Sequence, residues 1–148
     1  MVPPSSFEYA GDINAAEAWE QLQTEPKAQL IDVRTVAEWN FVGLPDLSSL
    51  GRRAHCVEWQ SFPNGAQNPG FVPEAAQALG AAGADKSSPV LLLCRSGARS
   101  RAAAMALTAA GFEKAFNVAG GFEGDADGEG HRGNQNGWKA SGLPWRQG

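Results

Sequence analysis

The sequence predicts an α/β protein with a central parallel sheet of about five strands and helices on both faces. Three observations carry that expectation. Short apolar, β-branched runs alternate with helical patterns along the 148 residues, the arrangement that places parallel strands under crossover helices. The strongest run, Val90-Leu91-Leu92-Leu93-Cys94, passes through a short polar loop straight into an Ala-rich segment at 101–110. Two helix starts are marked by capping signals, at Asn14 and Thr35.

Taken in order, residues 7–9 form a short first strand. Asn14-Ala15-Ala16-Glu17 has the form of a capping box and opens a helix that runs to about residue 23, before Pro26. Residues 29–34 read as a strand with polar residues at its far end, and Thr35 caps one or two helical turns with Glu38 at the third position. Residues 56–59 form a further strand, and residues 73–82 a helix closed by Gly83. The buried strand at 89–94 leads into a helix at 99–110 that stops at Gly111, and residues 115–119 return to a strand. Segments 44–53 and 60–70 are rich in Pro, Gly, Asn and Ser and read as ordered loops. Residues 123–137 form a Gly-rich excursion with Phe122 and Trp138 as its anchors. In parallel sheets of this kind the chemistry gathers at the carboxyl ends of the strands, where Asp32, Cys94 and Gly120 all fall.

Composition narrows the function. With 43% hydrophobic and 19% charged residues the chain suits one compact domain over residues 1–148. A net charge of −4 argues against nucleic acid and anionic membrane surfaces as partners. The first residues show neither a basic region nor an apolar one, and two cysteines without an export signal read as reduced thiols in a cytoplasmic protein.

The loop Cys94-Arg95-Ser96-Gly97-Ala98-Arg99-Ser100 carries the chemistry. A cysteine at a strand end, facing the N–H groups of a turn that opens a helix, is held as a thiolate together with any anion attached to it. Gly97 lets that turn curl through backbone angles closed to other residues. Arg95 projects toward an anionic substrate or into solvent. Arg99 folds back to support the loop and pairs with Asp32 across neighbouring strand ends, while Arg34 and Glu38 form a second, buried pair. Ser96 and Ser100 cap the helix. Cys56 is an inert thiol, with a resolving role opposite Cys94 as the alternative. Neither His55 nor His131 has metal-ligand spacing, the acidic run at 125–129 lacks the glycine and distal glutamate of a calcium loop, and no metal is expected. Trp59 or Trp138 is a candidate wall for the pocket.

Three blocks together resemble the rhodanese superfamily, in its single-domain sulfurtransferase form. They are Leu30-Ile31-Asp32-Val33-Arg34 with Glu38-Trp39 and Gly43, then the Cys94–Ser100 loop, then Asn117-Val118-Ala119-Gly120-Gly121 with Trp138 and Gly142-Leu143-Pro144. The resemblance implies a rhodanese-like fold and a Cys94 persulfide as the covalent intermediate, with no other cofactor. It implies that Arg95, Ser96, Gly97, Ala98, Arg99 and Ser100 bind that persulfide, with Asp32, Arg34 and Glu38 in support. Sulfane sulfur would pass from thiosulfate or a related donor to cyanide or a thiol. The alternative is a sulfur carrier, loaded by one protein and delivering to another. Four residues separate Cys94 from Arg99, one fewer than in the phosphatases of the superfamily, so the loop suits a single sulfur atom better than a tetrahedral phosphate or arsenate. The chain departs from the family in Leu44-Pro45 after Gly43, in the uncharged Ser96, and in the 123–137 insertion, expected to be a lid or docking loop that selects the acceptor.

Overall fold

The computed structural model describes residues 9–61, 66–95, 97–124, 129 and 136–146. Five strands, β1 (Gly11–Ile13), β2 (Gln29–Asp32), β4 (His55–Cys56), β7 (Val90–Leu93) and β8 (Ala115–Val118), form one sheet in the order β1-β8-β7-β2-β4. Every pairing in it is parallel. β2 and β7 are interior strands buried at every position; β7 is apolar throughout, as protein on both sides requires, while β2 carries the buried polar residues Gln29 and Asp32 at its ends.

The pleat divides the core in two. Alternate residues of a strand point to opposite faces. Leu30, Leu91, Leu93 and Val118 accordingly pack with Ala15, Ala18 and Leu22 of helix α1 (Ala15–Thr24) and with Trp138 of α5 (Gly137–Ala140). Ile31, Val90, Leu92 and Cys94 pack instead with Phe71, Ala75 and Leu79 of α3 (Phe71–Ala81) and with Ala103, Ala104 and Leu107 of α4 (Ala98–Ala109). The sheet is thus covered on both faces, as the alternation of patterns requires.

Both capping boxes form. Asn14 accepts from the Glu17 N–H at 2.8 Å while Glu17 returns to the Asn14 N–H at 2.9 Å. Thr35 and Glu38 do the same at the start of α2 (Val36–Phe41). Each box satisfies N–H groups that the first helical turn leaves without partners.

Several boundaries move. The first strand lies at Gly11–Ile13 rather than 7–9, because these are the residues that pair with Phe116–Val118; residues 7 and 8 lie outside those described. β4 is two residues long, since beyond Cys56 only the Val57 and Trp59 N–H groups continue to β2 and Val33. α3 begins at Phe71, with Pro73 in its first turn, where a missing N–H costs nothing. Within the loop at 44–53, β3 (Leu44–Pro45) pairs antiparallel with β9 (Trp145–Arg146) near the end of the chain. Gln60–Ser61 (β5) pairs likewise with Ala66–Gln67 (β6). Two-residue strands carry no readable periodicity, so only tertiary contacts reveal them. Among the described residues no helix is long and apolar enough to cross a membrane.

Candidate active site at the carboxyl end of the sheet

Strand β7 delivers Cys94 to the carboxyl edge of the sheet and α4 begins four residues later. Cys94 is only 1% exposed. Its Sγ accepts from the Gly97 N–H at 3.0 Å and lies 3.2 Å from the Ser100 hydroxyl. Gly97 is the N-cap of α4 at φ 118°, a left-handed conformation that glycine alone takes without strain. The helix therefore presents its positive end to the sulfur. Arg95 and Ala98 are exposed, Arg99 is half-buried and Ser100 is buried; Ser96 lies outside the described residues.

A backbone clamp fixes the loop from the other side. The Cys94 carbonyl accepts from the Phe122 N–H at 2.8 Å, and the Arg95 carbonyl accepts from Glu123 at 3.0 Å and Gly124 at 3.2 Å. These donors follow the turn at Gly120-Gly121, where Gly121 has φ 60°. A Cβ on Gly121 would overlap the Cys94 carbonyl and sit 2.6 Å from the Arg95 carbonyl carbon and oxygen. The double glycine is a requirement of close backbone approach.

The charged residues pair differently from the expectation. Asp32 and Arg34, both fully buried, bond to each other, with Nε at 2.9 Å and Nη2 at 2.6 Å from the carboxylate oxygens. Arg34 Nη2 also donates to the Gly43 carbonyl at 2.6 Å, and the guanidinium lies 4.3 Å from the centre of the Phe122 ring. Arg99 instead makes a two-pronged contact with Glu38, at 2.7 and 2.9 Å. The expected Asp32–Arg99 and Arg34–Glu38 pairs are thus exchanged. Arg34 sits in the bend just past the end of β2, where its backbone N–H as well as its guanidinium bonds the Asp32 carboxylate. Arg99, in the first turn of α4, meets the capping glutamate of α2. Burial pulls the Glu38 carboxyl upward, but hydrogen bonds from Arg99 and Thr35 outweigh it and leave Glu38 below its usual 4.5. The same contact raises Arg99, against the opposing pull of burial.

Two residues, Asn117 and Asp12, were given no site role by the sequence, although Asn117 stands in the third block of the resemblance. Asn117 Oδ1 lies 2.5 Å from the Ser100 hydroxyl, and its Nδ2 donates to Asp12 Oδ1 at 2.9 Å. Asn117 is 2% exposed in the middle of a strand; a polar residue between Phe116 and Val118 is the signal that could have marked it.

Other candidates lie elsewhere. A cavity of about 580 Å³ beside β4 is lined by Arg53, His55, Cys56 and Arg146 among others, and by no residue of the Cys94 loop. Cys56 is exposed by surface area, yet its thiol is hemmed in, and desolvation, helped by the Asp32 carboxylate, pushes it up to about 11. Such a thiol is a poor nucleophile at neutral pH. Burial, then Arg53, lowers His55 from 6.5. Trp138 is fully buried, donates to the Pro144 carbonyl at 2.6 Å and meets Trp19 edge-on, so it is core rather than pocket wall. Trp59 packs edge-on against Phe71 at 5.2 Å. His131 and the acidic run except Glu129 lie outside the described residues, which hold no group of three His, Cys, Asp or Glu placed to bind a metal.

Comparison with known proteins agrees with this architecture. Residues 10–148 match the family described as STR4 middle domain. The crystal structure of Rv0390 from M. tuberculosis is 52% identical and superposes with a TM-score of 0.84, covering 95% of this chain and 99% of that one. The chloroplastic rhodanese-like domain-containing protein 4 of Arabidopsis thaliana is 29% identical over 132 residues, 89% of this chain but 25% of that protein. A polysulfide-sulfur transferase homodimer from Wolinella succinogenes, 22% identical, shares the fold with a TM-score of 0.59 over 97% of this chain and 82% of that one. The chain belongs to the STR4 middle-domain family, within the rhodanese-like superfamily.

Two outcomes follow from the geometry. Gly121→Ala must force the clamp apart, and we expect a loss of about 3 kcal/mol in urea unfolding; an unchanged midpoint would show that the close approach is not required. Because Glu38 is lowered in the folded protein, its contribution is complete above about 4.5 and is lost as pH falls through the folded value. Urea midpoints should therefore fall more steeply below pH 4.5 in the native chain than in Glu38→Gln.

Proposed function

We propose that this rhodanese-like protein is a sulfurtransferase in which Cys94 is the nucleophile and carries sulfane sulfur as a persulfide. The observation that carries the reading is the position of Cys94 Sγ, 3.0 Å from the Gly97 N–H at the amino end of α4. In the first half-reaction the Cys94 thiolate attacks the outer sulfur of thiosulfate or a related donor. The sulfur–sulfur bond of the donor breaks, sulfite leaves with the electron pair, and a Cys94–S–S⁻ anion remains. In the second, cyanide or a thiolate attacks the terminal sulfur and the Cys94 thiolate is released. Two half-reactions through a covalent intermediate give ping-pong kinetics.

This chain's groups have separate tasks. The Gly97 N–H and the helix dipole stabilise negative charge on sulfur in both half-reactions. Arg95, exposed beside Cys94, is free to meet an anionic donor. Arg99 is committed to Glu38 and Arg34 to Asp32, so the two brace the loop from opposite sides and take no part in bond making. The uncharged Ser96 favours a second reading alongside the first, a carrier that takes its sulfur from a protein partner. In that reading turnover with thiosulfate is slow and exchange with the partner is fast.

Intact-protein mass after incubation with thiosulfate tests the reading. We expect a gain of one sulfur, about 32 Da, that is lost on adding cyanide and is absent from Cys94→Ser. An adduct that survives in Cys94→Ser would overturn it. No adduct on the native chain under thiosulfate, but one from a persulfidated protein donor, would select the carrier.

A further inference from the structure

The Ser100 hydroxyl has one proton and three acceptors around it: Cys94 Sγ at 3.2 Å, the Gly97 carbonyl at 3.2 Å and Asn117 Oδ1 at 2.5 Å. The closest is Asn117, and the sense of its amide is not free. Asn117 Nδ2 donates to Asp12 Oδ1 at 2.9 Å. A carboxylate can only accept, so the NH₂ end must face Asp12 and the oxygen must face Ser100. Asp12 is itself held, by the Tyr9 hydroxyl at 3.0 Å and by the Arg101 guanidinium at 3.8 Å. In the resting protein the Ser100 proton is therefore drawn to Asn117, and Ser100 turns a lone pair toward the sulfur.

We propose that Asn117, oriented by Asp12, is a positioning residue that withholds the Ser100 proton from Cys94 and so restrains the resting thiol. The inference rests on Cys94 being the nucleophile proposed above. A thiolate is a stronger acceptor than a neutral amide oxygen. When negative charge develops on the sulfur, the Ser100 hydroxyl swings to it, and the buried Asn117 oxygen loses its donor. That loss opposes the charged state. No proton leaves the network and no bond other than hydrogen bonds changes, so the chemical steps themselves are unaltered. It sets only how readily the free cysteine reacts.

The test is the rate of Cys94 alkylation by iodoacetamide at neutral pH, in a Cys56→Ser background that leaves one thiol to read. Asp12→Ala frees the Asn117 amide to turn over. Its NH₂ then donates to Ser100, whose proton must go to Cys94 or to the Gly97 carbonyl. We expect alkylation about three- to tenfold faster. Asp12→Asn keeps an oxygen that accepts from Asn117 and should restore the native rate. Adding Ser100→Ala should abolish the effect of Asp12→Ala. General loosening of the site would instead persist without Ser100 and would not be rescued by asparagine. Asn117→Leu, close in size and lacking the acceptor, should accelerate alkylation likewise and serves if Asp12→Ala fails to fold. Rates equal to or below native in both variants, or an acceleration unchanged in Ser100→Ala, would overturn the proposal. Alkylation needs only the thiol, so these outcomes are independent of whether thiosulfate transfers sulfur.

Discussion

The site depends on one backbone contact, the clamp between the carbonyls of Cys94 and Arg95 and the N–H groups of residues 122–124. A chain leaving β7 has a choice of paths. Once the Cys94 and Arg95 carbonyls are spent on Phe122, Glu123 and Gly124, the following residues must turn the other way, toward Cys94 Sγ. Gly97 completes that turn at φ 118°, and α4 begins. Every donor to the sulfur is therefore placed by bonds that do not touch it. The contact is possible only because Gly121 lacks a side chain, which ties the end of β8 to the reactivity of a residue one strand away.

Electrostatics reinforce the same edge of the sheet without supplying a free charge to the sulfur. Asp32 and Arg34 are both sealed from solvent, and a buried pair of this kind repays its desolvation only when its geometry is good and its spare donors are used. Here Arg34 Nη2 reaches the Gly43 carbonyl and the guanidinium lies over the ring of Phe122, the residue whose N–H clamps Cys94. Nη1 is buried without a hydrogen-bond partner among the described residues, so the condition is only partly met. The pair is better understood as a brace between the end of β2 and the clamp than as a source of stability. Glu38 with Arg99 braces the opposite side, joining the cap of α2 to the first turn of α4. Arg95 is the loop cation left facing solvent among the described residues of that loop.

What was legible in the sequence is what local chemistry decides. Asn14 with Glu17 and Thr35 with Glu38 are complete within four residues, so their helices start where the capping signals place them. The run Val90–Leu93 into Cys94 is legible because both faces of the strand are buried and no polar residue interrupts it. The partners of the charges were not legible. Nothing local says whether Asp32 takes Arg34 or Arg99, since the choice is made by which side chain the packed strands bring within reach. Asn117 and Asp12 are 105 positions apart and meet only because β1 and β8 pair. Asn117 opens the third block of the resemblance, but nothing in the sequence names Asp12 as its partner or Ser100 as its neighbour.

The same clamp explains how the chain accommodates its insertion. Gly124 bonds to the Arg95 carbonyl, and the chain re-enters at Gly137, which lies so close to Gly124 that a Cβ there would sit 2.8 Å from the Gly124 nitrogen. From that point the Trp138 N–H reaches the Gly121 carbonyl at 2.8 Å and the Lys139 N–H reaches Phe122 at 3.1 Å. The excursion therefore leaves and returns at one point, with both ends tied to the turn that holds the loop. Closing a longer loop between fixed ends costs little more than closing a short one, because the entropy grows only logarithmically with length. Because both anchoring ends are fixed by backbone bonds to this turn, the length of the insertion is decoupled from the clamp and from the position of the cysteine.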